Sequence, residues 1–92
     1  MLAVKATKKM QRDTKRMQKR GKDMNKLIAV IDMLANREAM PEKFRDHALA
    51  GEYKGARECH IEPDWLLVYR IIENELVLLT METGSHSDLF GK

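Results

Sequence analysis

Three side chains in this sequence change charge near neutral pH without help from their surroundings: His47, His60 and His86. One of them falls in CHIEPDW, residues 59 to 65, which brings His60, Asp64 and Trp65 together in a chain with a single tryptophan. Imidazole, with a reference pKa of about 6.5, takes and returns a proton within one catalytic cycle. RNA scission needs that property twice. A ribose 2′-hydroxyl attacks its own phosphate when one group removes its proton, another protonates the leaving 5′-oxygen, and cations hold the charge on phosphorus. Aromatic faces such as Trp65 and Phe90 can stack the flanking bases, each such pairing worth roughly 1–3 kcal/mol. Both are equally ordinary core residues.

Other chemistries fit less well. Zinc would suit imidazole and carboxylate, yet the sequence has no HxxxH, no HExxH and no paired cysteines, so no metal is expected. Cys59 and His60 are strand neighbours whose side chains diverge, which disfavours a thiol nucleophile activated by that histidine. No glycine-rich phosphate loop is present.

Ninety-two residues make one domain with a modest core, residues 1–92. Apolar residues are 43% and charged residues 34% of the chain, and no stretch could span a membrane. With no visible secretory leader and one cysteine that has no partner, the expected compartment is the cytoplasm. Charge is distributed unevenly. Residues 1–26 carry ten basic against two acidic side chains, a net of +8, which leaves −5 for the rest. Lys8, Lys9, Arg12, Lys15, Arg16, Lys19 and Arg20 lie close together in that segment without acidic i,i+4 partners in number, the pattern of a helix that meets a polyanion.

The elements that must hold these groups follow from period and punctuation. Residues 2–5 predict a short strand, and Thr7 caps a helix that runs to about Arg20, with Met10, Thr14 and Met17 facing inward. Gly21 stops it. Asp23 caps a second helix whose Met24, Leu27, Ile28, Ile31 and Leu34 form an apolar face, ended near Pro41. Strands follow in GAREC and HI, in Trp65 to Ile72 and in Glu75 to Met81, the last two joined by a tight hairpin at Glu73-Asn74. Pro63 sets a turn over Glu62 to Trp65, and TGSHSDLFGK reads as a loop returning to the sheet. The predicted class is α+β, a two-helix hairpin packed on a small antiparallel sheet.

FRDHALAGEYKGARECHIEPDWLLVYR followed by ETGSHSDLF resembles the signature of the YafQ-type branch of the RelE/ParE superfamily of bacterial toxins, and the element order is similar throughout. The resemblance implies an endoribonuclease without cofactors that cuts messenger RNA in the ribosomal A site. Its implied partners are the ribosome, the message and a cognate antitoxin, and the toxin–antitoxin complex would bind operator DNA through the antitoxin. It further implies an active site of His47, His60, His86 and Asp64 with the aromatic residues Trp65 and Phe90. His86 is then the general acid, Asp64 or His60 the base, and His47 orients substrate or shares the proton relay. The basic helix would grip ribosomal RNA. Where some relatives have arginine before the Thr-Gly pair, this chain has Glu82, so Arg57 is the expected substitute cation. The alternatives are a gyrase-binding relative of the same superfamily, or a nucleic-acid-binding module without catalysis; neither needs three histidines.

Overall fold

The computed structural model describes residues 1–91. Strand β1 (Ala3–Ala6) leads into α1 (Lys8–Lys19) and α2 (Met24–Ala35), followed by β2 (His47–Ala48), β3 (Arg57–Glu62), β4 (Trp65–Ile72), β5 (Val77–Gly84) and a short α3 (His86–Phe90). The sheet order is β1-β5-β4-β3-β2. The architecture is α+β, as predicted, but the sheet is mixed: β1 pairs with β5 in parallel. The chain does not turn back between β1 and β5. It is pinned at its start by Leu2, which is buried and donates its N–H to the Ala35 carbonyl, and it continues directly into α1 over β5.

Both long helices begin where the sequence places a cap. The Thr7 hydroxyl accepts from the Met10 N–H at 3.0 Å, and the Asp23 carboxylate accepts from the Asn25 N–H at 2.9 Å. On α1, Met10, Asp13 and Met17 turn inward, so the inward polar group is Asp13 and not the half-buried Thr14, whose hydroxyl bonds back to the Met10 carbonyl. Asp13 is buried because β5 supplies a partner, the Thr83 N–H at 3.2 Å. On α2 the buried positions are Leu27, Val30, Leu34 and Ala35; Ile28, predicted inward, is 54% exposed. The i, i+3, i+7 stripe through Val30 is the face that meets β3.

Strand parity sets which groups share a face. Arg57, Cys59, Trp65, Leu67, Tyr69, Leu78 and Thr80 alternate onto the side covered by the helices, whereas His47, Glu58, His60, Leu66 and Val68 lie on the other. The pairing of β4 with β5 slips by one residue between Val68 and Tyr69, so that Val68 faces Glu82 while Tyr69 faces Thr80, leaving Met81 unmatched. That bulge flips everything after it. Glu82 turns to the histidine side, and Thr83 turns to the helix side, where its hydroxyl accepts from Trp65 Nε1 at 3.0 Å.

Candidate active site

His47 lies on the edge strand β2, opposite Glu58 on β3, and His60 follows two residues later on the same face. The three are therefore neighbours by register alone. Glu58 Oε1 is 3.4 Å from His60 Nε2 and 3.6 Å from His47 Nε2, with the carboxylate 6% exposed. Each ring is also held from behind: His47 Nδ1 is 2.7 Å from the Arg45 carbonyl and His60 Nδ1 is 3.1 Å from the Pro63 carbonyl. A carbonyl oxygen only accepts, so Nδ1 carries the proton in both rings, and both Nε2 atoms are turned toward Glu58.

The third imidazole arrives from the end of the sheet. Predicted as a loop, residues 86–90 form α3, because Ser85 and Asp88 build a reciprocal capping box: the Ser85 N–H donates to Asp88 at 2.9 Å and the Asp88 N–H donates to Ser85 Oγ at 3.1 Å. Gly84 is required here. A Cβ on it would lie 2.8 Å from the Asp88 Cβ. Asp64, on the β3–β4 turn, accepts both the His86 backbone N–H at 2.9 Å and the ring Nδ1–H at 2.6 Å. Those bonds, the backbone one first, hold the Asp64 carboxyl below its ordinary range. His86 Nε2 is left free to meet a substrate. The His60 ring centroid lies 5.6 Å from that of His86 and 6.5 Å from that of His47.

The structure thus brings together four of the residues singled out in the sequence, and adds Glu58. Its signal was legible: a carboxylate two residues from a histidine in a strand shares that histidine's face. Phe90 is 36% exposed and packs edge-on to Tyr53, whose ring lies 5.7 Å away. The neighbouring Glu82 carboxylate pushes the Tyr53 hydroxyl up to about 12. Glu82 itself is buried, with Lys9 Nζ at 3.5 Å.

Two sequence assignments are corrected. Trp65 is fully buried beneath Thr83, so it has no face to offer a base; its indole ties the Asp64 turn to the β5–α3 junction. Arg57 lies on the helix side of β3, opposite in parity to Glu58 and His60, and its guanidinium is committed to Asp46 at 2.6 Å. Asp46 also accepts from the Tyr69 hydroxyl. Burial raises the Cys59 thiol to about 12, which removes it as a nucleophile. Glu58, His60 and His86 place one ligand atom each within 4.8 Å of one another, a donor set that could hold a transition-metal ion although no spacing in the sequence announces it.

The basic helix divides into two stripes. Lys8, Arg12, Lys15 and Lys19 are exposed and project within about 60° of arc, and no ion pair involves them among the described residues. Lys9, Arg16 and Arg20 occupy the neighbouring stripe and are engaged internally: Lys9 with Asp13 at 2.9 Å, Arg16 with Asp13 at 3.2 Å, and Arg20 with Asp88 at 2.5 and 2.9 Å.

Comparison with known proteins places these features in one group. Residues 2–91 match the family described as the bacterial toxin of type II toxin-antitoxin system, YafQ. The mRNA interferase toxin YafQ of Escherichia coli K12 is 45% identical over 82 residues, covering 87% of this chain and 86% of that protein. The crystal structure of a metal-bound toxin from Helicobacter pylori superposes with a TM-score of 0.93 at 42% identity, covering 98% of this chain and 100% of that one. The toxin in the E. coli DinJ-YafQ complex superposes with a TM-score of 0.89 at 37% identity, covering 99% of this chain and 100% of that one.

Proposed function

The chain belongs to the YafQ family of bacterial type II toxins, and on that premise we propose that it is an mRNA interferase that cuts message on the ribosome through attack of a ribose 2′-hydroxyl on the adjacent phosphate. The observation that carries this reading is the convergence of His47, His60 and His86, each with Nδ1 against an acceptor, with Nε2 of His47 and His60 beside the Glu58 carboxylate and Nε2 of His86 open. A protein that acts only by occluding gyrase or coating nucleic acid has no use for that arrangement.

His60 takes the 2′-hydroxyl proton on Nε2, and Glu58, whose Oε1 lies 3.4 Å from that atom, stabilises the imidazolium that results. His86, oriented by Asp64, delivers a proton from Nε2 to the leaving 5′-oxygen. Asp64 is therefore an orienting group for His86, and His47 shares Glu58 with His60 and steadies its charge. The balance is complete: the 2′-oxygen–phosphorus bond forms, the phosphorus–5′-oxygen bond breaks, and one proton enters and one leaves the histidine pair. Phe90 stacks a flanking base from the α3 side.

The exposed stripe of α1 holds ribosomal RNA, and a cognate antitoxin silences the toxin, as the DinJ-YafQ pairing of the E. coli relative supports. That antitoxin carries the pair to operator DNA. Among the described residues no helix is long and apolar enough to cross a membrane. The ribosomes it acts on are those of the bacterial cytoplasm.

The test is a translating extract with 5′-end mapping of the message. The extract is treated with a transition-metal chelator that spares magnesium, because an ion at the Glu58, His60 and His86 cluster would occupy the lone pairs that proton transfer needs. Codon-phased cuts are expected with the wild-type chain and none with His86→Ala, while circular dichroism and ribosome co-sedimentation stay unchanged. Cleavage retained in His86→Ala would remove that histidine from the mechanism. Loss of supercoiling without cuts would identify a gyrase-binding toxin.

A further inference from the structure

His60 has a second neighbour that the reaction does not use. Where β2 ends, the edge of β3 faces a groove of about 470 Å³ between α2 and the short 3-10 turn at Glu42–Phe44, and His60 forms part of its wall. Val30 and Met33 of α2 with Ile61 of β3 give it an apolar floor. Its rim is cationic. Lys43 and Arg45 line it and enter no ion pair among the described residues, while Lys26 is spent on Glu62, which lines the groove as well. The Lys43 ammonium stands 5.1 Å from the Phe44 ring centroid, which puts a charge and an aromatic surface side by side. Arg45 has φ +48°, an uncommon conformation for a residue with a side chain, and the same residue gives its carbonyl to His47 Nδ1. One strained position thus fixes both the His47 ring and a free guanidinium at the groove.

We propose that this groove is a nucleotide subsite for the RNA segment beside the scissile phosphate, with Phe44 against the base and Arg45 and Lys43 on the phosphate. The proposal rests on the ribonuclease reading of the histidine site. Charge complementarity argues for it: a polyanion with flat apolar rings needs cations above an apolar floor, and this groove offers that combination while opening onto His60. The volume falls in the range of small-ligand sites, large enough for one nucleotide and too small for a folded partner. Phe90, four positions beyond His86 on α3, supplies the second base contact of the proposed site, separate from the groove.

The experiment uses a hexaribonucleotide with a 2′-deoxyribose at the scissile position, which binds but cannot be cut. Titrated into the full chain, it should shift the NMR signals of the Phe44 ring and the Met33 and Val30 methyl groups. Phe44→Leu or Arg45→Gln should weaken its binding roughly tenfold, the worth of one stacked base or one charged hydrogen bond. The penalty should vanish for the same uncleavable RNA trimmed to one nucleotide on each side of the deoxyribose. Circular dichroism of each variant guards against unfolding.

Signals in the groove that do not move with RNA would overturn the proposal, and shifts seen only with the cognate antitoxin would assign the groove to that protein instead. Equal penalties on long and trimmed RNA would overturn it too. RNA that shifts the groove, together with message that the wild-type chain never cuts in the translating extract, would preserve the subsite and sink the nuclease reading.

Discussion

Glu58 is the residue on which the proposed chemistry turns. A carboxylate 6% exposed and shared by two imidazoles is unlike a surface acid, because taking it from water is costly unless charge or hydrogen bonding compensates. The two histidines supply that compensation only when at least one is protonated, which is the state the ring reaches after removing a substrate proton. Glu58→Gln keeps the shape and removes the charge. Cleavage should then fall by about 10²-fold or more, at the lower end of what a general acid or base contributes, while the melting temperature changes little. Single-turnover rates on a defined message check it. A rate within twofold of wild type would make Glu58 a bystander. The meeting of the histidines with Asp64 was legible because residue type and motif carry that information. Arg57 was misjudged by one step of strand parity, and Trp65 because the same ring that stacks on a base also fills a core.

At the level of the element, α3 is the least secure part of the site, a helix of five residues that no isolated peptide would form. It stands because its ends are tied. Ser85 and Asp88 cap it, Asp64 takes the His86 N–H, and Arg20 of α1 clamps Asp88 with two bonds. The Arg20 guanidinium, ahead of the Ser85 bonds, holds the Asp88 carboxyl far below the ordinary value of 3.8. Since the folded state favours the charged form, the contribution is complete above about pH 4 and fades as pH falls through the lowered value. Asp88→Asn should therefore cost about 1 kcal/mol at pH 7, the usual scale of a capping interaction, and the gap from wild type should narrow steadily as the pH falls below about 4. Urea titrations at several pH values measure it, and a gap that stays constant would contradict this role. The helix was missed in the sequence because Thr-Gly-Ser-His-Ser reads locally as a loop. What makes it helical is a reciprocal cap together with an arginine 68 positions away.

For the whole molecule, the division of α1 into two stripes decides what the net positive charge is for. Three of its cations are consumed within the fold, and Lys8, Arg12, Lys15 and Lys19 remain for a partner. Replacing Arg12, Lys15 and Lys19 by Glu should weaken ribosome association and make its salt dependence shallower, by about 0.7 to 0.9 in log–log slope for each phosphate no longer neutralised. Melting should be nearly unaffected. Reversing Arg16 and Arg20 should instead lower the melting temperature, since they clamp Asp13 and Asp88. Co-sedimentation over a salt series, paired with thermal scans, separates the two stripes. Unchanged binding in the first variant would remove the exposed stripe from ribosome recognition.

By itself the sequence determined what is local or carried in a motif: the caps at Thr7 and Asp23, the α+β order, the segregation of charge, and the family whose histidines these are. Tertiary structure alone decided which of those groups meet. A strand alternates with period two, so a single unmatched residue at Met81 exchanges the faces of Glu82 and Thr83, and the parallel seating of β1 depends on a sheet edge that lies some seventy positions away. The Glu58 carboxylate between two imidazoles, and the cationic groove beyond His60, exist only where such distant choices coincide. Local preference cannot encode that coincidence, because each partner's position is fixed by the packing of other elements.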